Sequence, residues 1–355
     1  MVTFNDAVAD LLGVDGFSPL VEFIVGIVGA SIVVSVMLTI IGISAVWLKR
    51  KWNARLGDRI AVNRIGPAGL MVMPADALKL FSKEVVVPEG VDRIGYKLAP
   101  MLAAATVLAA FAFIPFGSGL QIADPETGLI FALAFASLSA VPVVMAGYSS
   151  KNKYSFLGFE REVAQAIAYE IPLVVSALAV VPLVAVFADT SAPLRMSNVV
   201  TAQQGPLLGV TGLPIPNWFI FAQPVAAVLF FVSILAEFSR NPFDLPEAGS
   251  ELVAGYLTEY GGVNFVLLFL AEFAAIYFGG ALFTALFLGG GSGPVLPAVV
   301  WFLGKTFVFY LVVQWFRATI PRVRIDQLLE FGWKYLLELT FLNLLLTAGI
   351  LWVVL

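Results

Sequence analysis

The chain has 355 residues, 60% of them apolar and 12% charged, with a mean hydropathy of +0.95 and a formal charge of −4. Such a composition excludes a soluble globular domain and indicates a polytopic membrane protein. Cysteine and histidine are both absent, which removes the usual ligands of iron–sulfur clusters, most haems and structural zinc.

Met1–Ser18 carries Asp6, Asp10 and Asp15 and lacks a basic start, so a signal peptide is not expected. Spanning a bilayer takes about 20 apolar residues. Runs of that kind lie roughly at 19–48, 99–116, 129–148, 163–187, 218–235, 263–288, 297–316 and 335–355. The expected fold is therefore an all-α polytopic membrane protein, a single membrane domain over 1–355. About eight transmembrane helices put both termini on one side.

Basic residues identify that side. The segment after the first run holds Lys49, Arg50, Lys51, Arg55, Arg59, Arg64, Lys79, Lys83, Arg93 and Lys97. Lys151, Lys153, Arg161, Arg240, Arg317, Arg322, Arg324 and Lys334 fall in the later connections on the same side. These are 18 of the 20 basic residues, Arg195 and Lys305 being the exceptions. That face is expected to be cytoplasmic and both termini outside, in the cell membrane.

The first inner connection, Lys49–Leu98, is long. Asn63–Gly69 (NRIGPAG) reads as a turn that carries Arg64. Ala75–Glu84 follows as an amphipathic helix, with Ala77, Leu80 and Phe81 on one face and Asp76, Lys79 and Lys83 elsewhere. The fourth run opens on Gly158–Glu170 (GFEREVAQAIAYE), where Glu162, Gln165, Ala166, Tyr169 and Glu170 share a helical face. Glu170 is expected to be buried, and Pro172 to bend the helix behind it.

Ala236–Gly262 (AEFSRNPFDLPEAGSELVAGYLTEYGG) departs most from an ordinary connector. It packs Glu237, Asp244, Glu247, Glu251 and Glu259 against a single base, Arg240, and Glu272 follows within the next run. Asp244-Leu-Pro-Glu247 has the form of a capping box, so a short helix is expected there, with Glu247 and Glu251 one turn apart. Acids crowded at low dielectric hold protons with raised, coupled affinities. An ionised Asp in mid-membrane costs about 2.5–3.5 kcal/mol unless paired or hydrated. Glu272 either relays protons or pairs with Lys305 for structure. Tyr169, Tyr256 and Tyr260 read as packing residues.

Four stretches together resemble one known family. They are Asn63–Glu84, Tyr148–Glu170, Ala236–Tyr260 with its SRNPFDLPE string, and Arg317–Lys334 (RATIPRVRIDQLLEFGWK). The chain is similar to the H-type membrane subunit of bacterial and archaeal NADH–quinone oxidoreductase, respiratory complex I, the counterpart of mitochondrial NADH dehydrogenase subunit 1. One family string, E-G-E-S-E, reads Glu247-Ala248-Gly249-Ser250-Glu251 here, with the middle acid absent.

The resemblance implies a membrane subunit that forms much of a quinone-reduction chamber. It also implies the start of a buried charge pathway to proton pumping. Glu237, Glu247, Glu251, Glu170, Glu272 and Glu259 are the expected proton and charge relay. Asp76, Lys79, Arg64, Arg240, Arg317, Arg322, Arg324 and Asp326 are the expected chamber residues. Quinone, ubiquinone or menaquinone, would be the substrate. Iron–sulfur clusters, and any flavin, would sit in partner subunits, with no metal in this chain. The expected partners are the other membrane-arm subunits, the hydrophilic-arm subunits that carry the clusters, and the lipid membrane, with no nucleic acid. Two other readings stand beside this one. They are an anchor subunit of an ion-pumping hydrogenase or of a ferredoxin- or deazaflavin-fed complex, and a stand-alone secondary transporter, for which no internal repeat is seen.

Overall fold

The computed structural model describes residues 21, 42, 44–117, 120–188, 190–205 and 217–354. The first expected span lies outside this set apart from residues 21 and 42 and the π-helical turn Ser44–Leu48. The helices are α1 (Lys49–Leu56), α2 (Val72–Ser82), α3 (Arg93–Phe111), α4 (Gly128–Leu138), α5 (Ala140–Ser149), α6 (Lys153–Leu178), α7 (Val181–Phe187), α8 (Met196–Thr201), α9 (Phe219–Ala222), α10 (Pro224–Glu237), α11 (Gly262–Phe287), α12 (Ala298–Thr319), α13 (Ile325–Glu330) and α14 (Leu337–Val354). Among the described residues, six helical stretches are long and apolar enough to cross a membrane: α3, α4–α5, α6–α7, α11, α12 and α13–α14. The run at 218–235 is instead split into the four-residue α9 and the fourteen-residue α10.

Local sequence sets the helix ends. Asp92 caps α3 by accepting from Ile94 N (3.2 Å), and Asn152 caps α6 by accepting from Tyr154 N (3.0 Å). The helix α6 continues through Pro172, where a bend is expected from sequence; its break comes at Ala179–Val180, ahead of Pro182.

The helix α6 packs against α10, α5 and α14, while α11 packs against α3 and α12. Between helices already in an apolar phase, tight packing replaces the hydrophobic effect as the attraction. Aromatic edges supply much of it: Phe231 meets Phe309 at 5.4 Å and Phe316 at 5.3 Å, and Phe111 meets Phe278 at 5.6 Å, each edge to face.

Lys305 on α12 is buried and does not pair with Glu272. Its Nζ donates to the carbonyls of Leu288 (2.6 Å), Gly290 (2.9 Å) and Ser292 (2.8 Å) and lies 4.3 Å from the Trp218 ring. It thereby satisfies the carbonyls beyond the C-terminus of α11, which lie in apolar surroundings.

The Ala236–Gly262 segment does not form the helix expected at Asp244–Glu247. It is a chain of turns ending in a 3-10 turn at Gly255–Leu257. Asp244 is committed to Arg322 (3.4 Å) rather than to a helix N-terminus. One glycine, Gly158, seats the segment on α6, and a second, Gly255, lets the segment fold closely on itself. A Cβ at Gly158 would stand 3.0 Å from Tyr256 N and 3.1 Å from Pro246 O. One at Gly255, where φ is +52°, would stand 1.7 Å from Pro246 O. Only a backbone without side chains fits that approach.

Candidate functional site

The centre of the site is the C-terminus of α10. Ser239 N donates to Ala236 O (3.0 Å) and Arg240 N to Leu235 O (2.8 Å), with Ser239 in the left-handed region at φ +47°. That is a Schellman ending with serine where glycine is usual. It reverses the chain so that Glu237 stays on the helix while Arg240 turns back toward α11.

Arg240 is 4% exposed and forms an ion pair with Glu272. Its Nη2 also donates to the Glu272 carbonyl (3.0 Å), and its guanidinium lies 5.1 Å from the Phe273 ring. Burial opposes the Arg240 charge, but Glu272, Glu247 and Asp244 outweigh it and hold the pKa above the ordinary value. Lys49 on α1 approaches from the other side, 4.6 Å from the Phe273 ring. Burial, then repulsion from Arg317 and Arg240, lowers its pKa to about 8.

On the near side of Glu272 lies a cavity of about 60 Å³. Its polar lining includes Glu162, Glu237, Ser239, Glu247, Tyr256 and Glu272, together with Ser139; Ala103, Val107 and Leu268 are among its apolar walls. Tyr256 donates to Glu247 (3.1 Å) and Ser239 to Glu162 (2.6 Å). Burial, then the neighbouring Glu272, keeps Glu247 protonated well above the usual carboxylate range. Asp244 is also raised, by burial that outweighs Arg240, Arg317 and Arg322. Among the described residues no three acids are grouped closely enough to hold a metal ion.

Of the expected relay acids, the cavity brings together Glu237, Glu247 and Glu272. It does not include the other three. Glu251 is exposed and paired with Arg161 (2.6 Å). Glu259 accepts from Asn152 Nδ2, and its carbonyl accepts from Tyr96 (2.7 Å), so it ties the segment to the start of α6. Glu170 is exposed on this chain rather than buried, because eight residues of helix turn it about 80° from Glu162.

Of the expected chamber residues, Arg240 stands behind Glu272 rather than on the cavity wall, and Arg322 holds Asp244 and Ser250 (3.1 Å). Arg317 is half-buried near Lys49 and Asp244. Asp76 pairs with Arg50 (3.0 Å), and Lys79 and Arg64 are exposed. Arg324 and Asp326 pair with each other at the surface. Sequence reasoning left out Glu162 and Lys49 and took Tyr256 for packing. The polar stripe of α6 was the available signal for Glu162. Tyr169 donates to Leu328 O (2.8 Å), and Tyr260 stacks on Tyr96 at 4.3 Å.

A family profile described as NADH dehydrogenase matches residues 28–348. The chain is 42% identical over 303 residues to a protein of Dehalococcoides mccartyi named as the H-type subunit of NADH-quinone oxidoreductase, covering 85% of this chain and 80% of that one. It is 43% identical over 304 residues to a protein of Cereibacter sphaeroides that bears the same name, numbered 2, with 86% and 90% covered. Another protein of that name, from Carboxydothermus hydrogenoformans, is 38% identical over 336 residues, with 94% and 91% covered.

Proposed function

The chain belongs to the NADH dehydrogenase family, and on that premise we propose that its acidic cavity couples quinone reduction to proton movement. The chain is a multi-pass membrane subunit of an NADH–quinone oxidoreductase, complex I. It acts as part of that oxidoreductase and depends on other subunits of the complex for electrons.

The observation that carries the coupling role is the grouping of Glu162, Glu237, Glu247 and Glu272 around one cavity, with the buried Arg240 paired to Glu272 from behind. Negative charge that appears on a reduced quinone nearby would draw protons onto these acids. Their altered charge state would then pass along the membrane arm. Quinone itself, ubiquinone or menaquinone, would bind at the cytoplasmic edge, where Arg50, Asp76, Lys79, Arg64, Arg317, Arg322, Arg324 and Asp326 are available. The cell membrane is the place where such an assembly works.

The test is the double variant Glu237→Gln, Glu247→Gln in the assembled complex. Glutamine keeps the shape and cannot ionise. Quinone reduction and proton uptake in sealed vesicles are expected to fall by about tenfold or more, equivalent to about 1.4 kcal/mol at the limiting step. Full rates of both would refute the coupling role.

A further inference from the structure

We propose that Glu162 is a proton-carrying residue of the cavity, exchanging protons with Glu237 on one side and with Glu247 on the other. The inference deepens the coupling function above and rests on it. Glu162 is 6% exposed, near the start of α6, and lines the cavity together with those three acids. Among the described residues no cation pairs with it, unlike Glu272, which is paired with Arg240. A carboxylate without a fixed counter-charge is free to gain and lose a proton.

Its local bonding is directional. Gln165 Nε2 donates to Ser239 Oγ (3.2 Å), so that oxygen is already an acceptor, and its hydrogen points to Glu162 Oε2 (2.6 Å). The serine hydroxyl therefore anchors one carboxyl oxygen and leaves the other for proton exchange. A second feature points into the same space. Glu237, 6% exposed, has its Oε2 buried without a hydrogen-bond partner among the described residues. A water needs about 10–15 Å³ of such space, and the cavity of about 60 Å³ has room for more than one. Water there would bridge acids that do not touch.

The step is a proton transfer alone. An O–H bond breaks at one carboxyl, forms at the next carboxylate through water, and the negative charge moves the opposite way. The groups that face Glu162 are Glu237 and Ser239 from the end of α10, Asp244, Glu247 and Tyr256 from the turn segment, and Glu272 from α11 with Arg240 behind it.

The experiment compares Glu162→Gln, Glu162→Asp and Ser239→Ala in the assembled complex, in sealed vesicles between about pH 6 and 9. Glu162→Gln is expected to lose about tenfold in quinone reduction and proton uptake at the alkaline end, where protons are scarce, and less at the acid end. Glu162→Asp restores most of the rate, and Ser239→Ala moves the pH of half-maximal rate. Wild-type rates and pH profile in Glu162→Gln would overturn the proposal, as would an aspartate variant as impaired as glutamine. If the glutamine variant does not assemble, an unchanged pH profile in both other variants overturns it. Glu237→Gln is measured alongside. A loss there with none at Glu162 removes Glu162 alone, whereas no loss at either removes the coupling function.

Discussion

Arg240 and Glu272 are paired twice: the guanidinium meets the carboxylate, and it also donates to the Glu272 carbonyl oxygen (3.0 Å). One side chain thus fixes both the charge and the backbone of α11 at this point. Removing one partner of such a buried pair leaves the other uncompensated, a loss of about 3–5 kcal/mol. Arg240→Met is expected to prevent stable incorporation of the subunit into the complex. Adding Glu272→Gln should restore assembly, measured on native gels, without restoring quinone reduction. A single Arg240→Met variant that assembles normally would show that the pair is not structural.

The pH dependence of stability follows from Glu247. Its folded pKa is raised, by burial first and Glu272 second. A carboxyl raised in this way contributes stability that is full below the ordinary glutamate value, about 4.3. That contribution is lost as pH rises through the folded value. The thermal midpoint of the complex should therefore fall with pH more steeply in the wild type than in Glu247→Gln between about 4.3 and the folded value, and no more steeply beyond it. Equal slopes would mean that Glu247 holds no proton in the fold.

The turn segment depends on bare backbone at Gly255. A methyl there meets Pro246 O at 1.7 Å in a left-handed conformation, and misfits of this kind cost about 1–3 kcal/mol or more. Gly255→Ala should push Pro246 away, open the turn segment and pull Tyr256 from Glu247. Faster tryptic cleavage at Arg240 and reduced quinone reduction are the expected signs; wild-type protease resistance would count against the packing described.

Glu251 and Glu259 should matter less than the cavity acids. Exposed pairs such as Arg161–Glu251 contribute about 0–1 kcal/mol. Glu251→Gln is expected to cost less than about twofold in turnover, against about tenfold for Glu237→Gln. A reversal of that order would move the functional centre to the loop surface.

Topology is tested by single cysteines. Gln204→Cys and Ser250→Cys both sit at exposed positions. Impermeant reagent added to whole cells should label position 204 and not 250, given the positive-inside distribution. The opposite pattern would invert the orientation.

The apolar runs were plain in the sequence because a bilayer imposes length and composition on every helix. The crowding of acids in 236–262 was equally plain. Which acids meet was not. Glu162 and Glu237 are 75 positions apart and come together because Ser239 takes a left-handed conformation and Gly158 admits the segment, and neither leaves a periodic trace. The capping box at Asp244–Glu247 misled because Asp244 is engaged by Arg322 from far along the chain. Glu170 shows the limit of stripe reading: a shared face still spreads over enough arc for its two ends to point different ways.

Lys305 closes the opposite end of the α11–α12 seam. Its amino group takes three carbonyls and lies against an indole ring, so one side chain gathers the whole turn that follows α11. Leu288, Gly290 and Ser292 are thereby buttoned to α12 at a single point, so that corner of the bundle holds or comes undone as a unit.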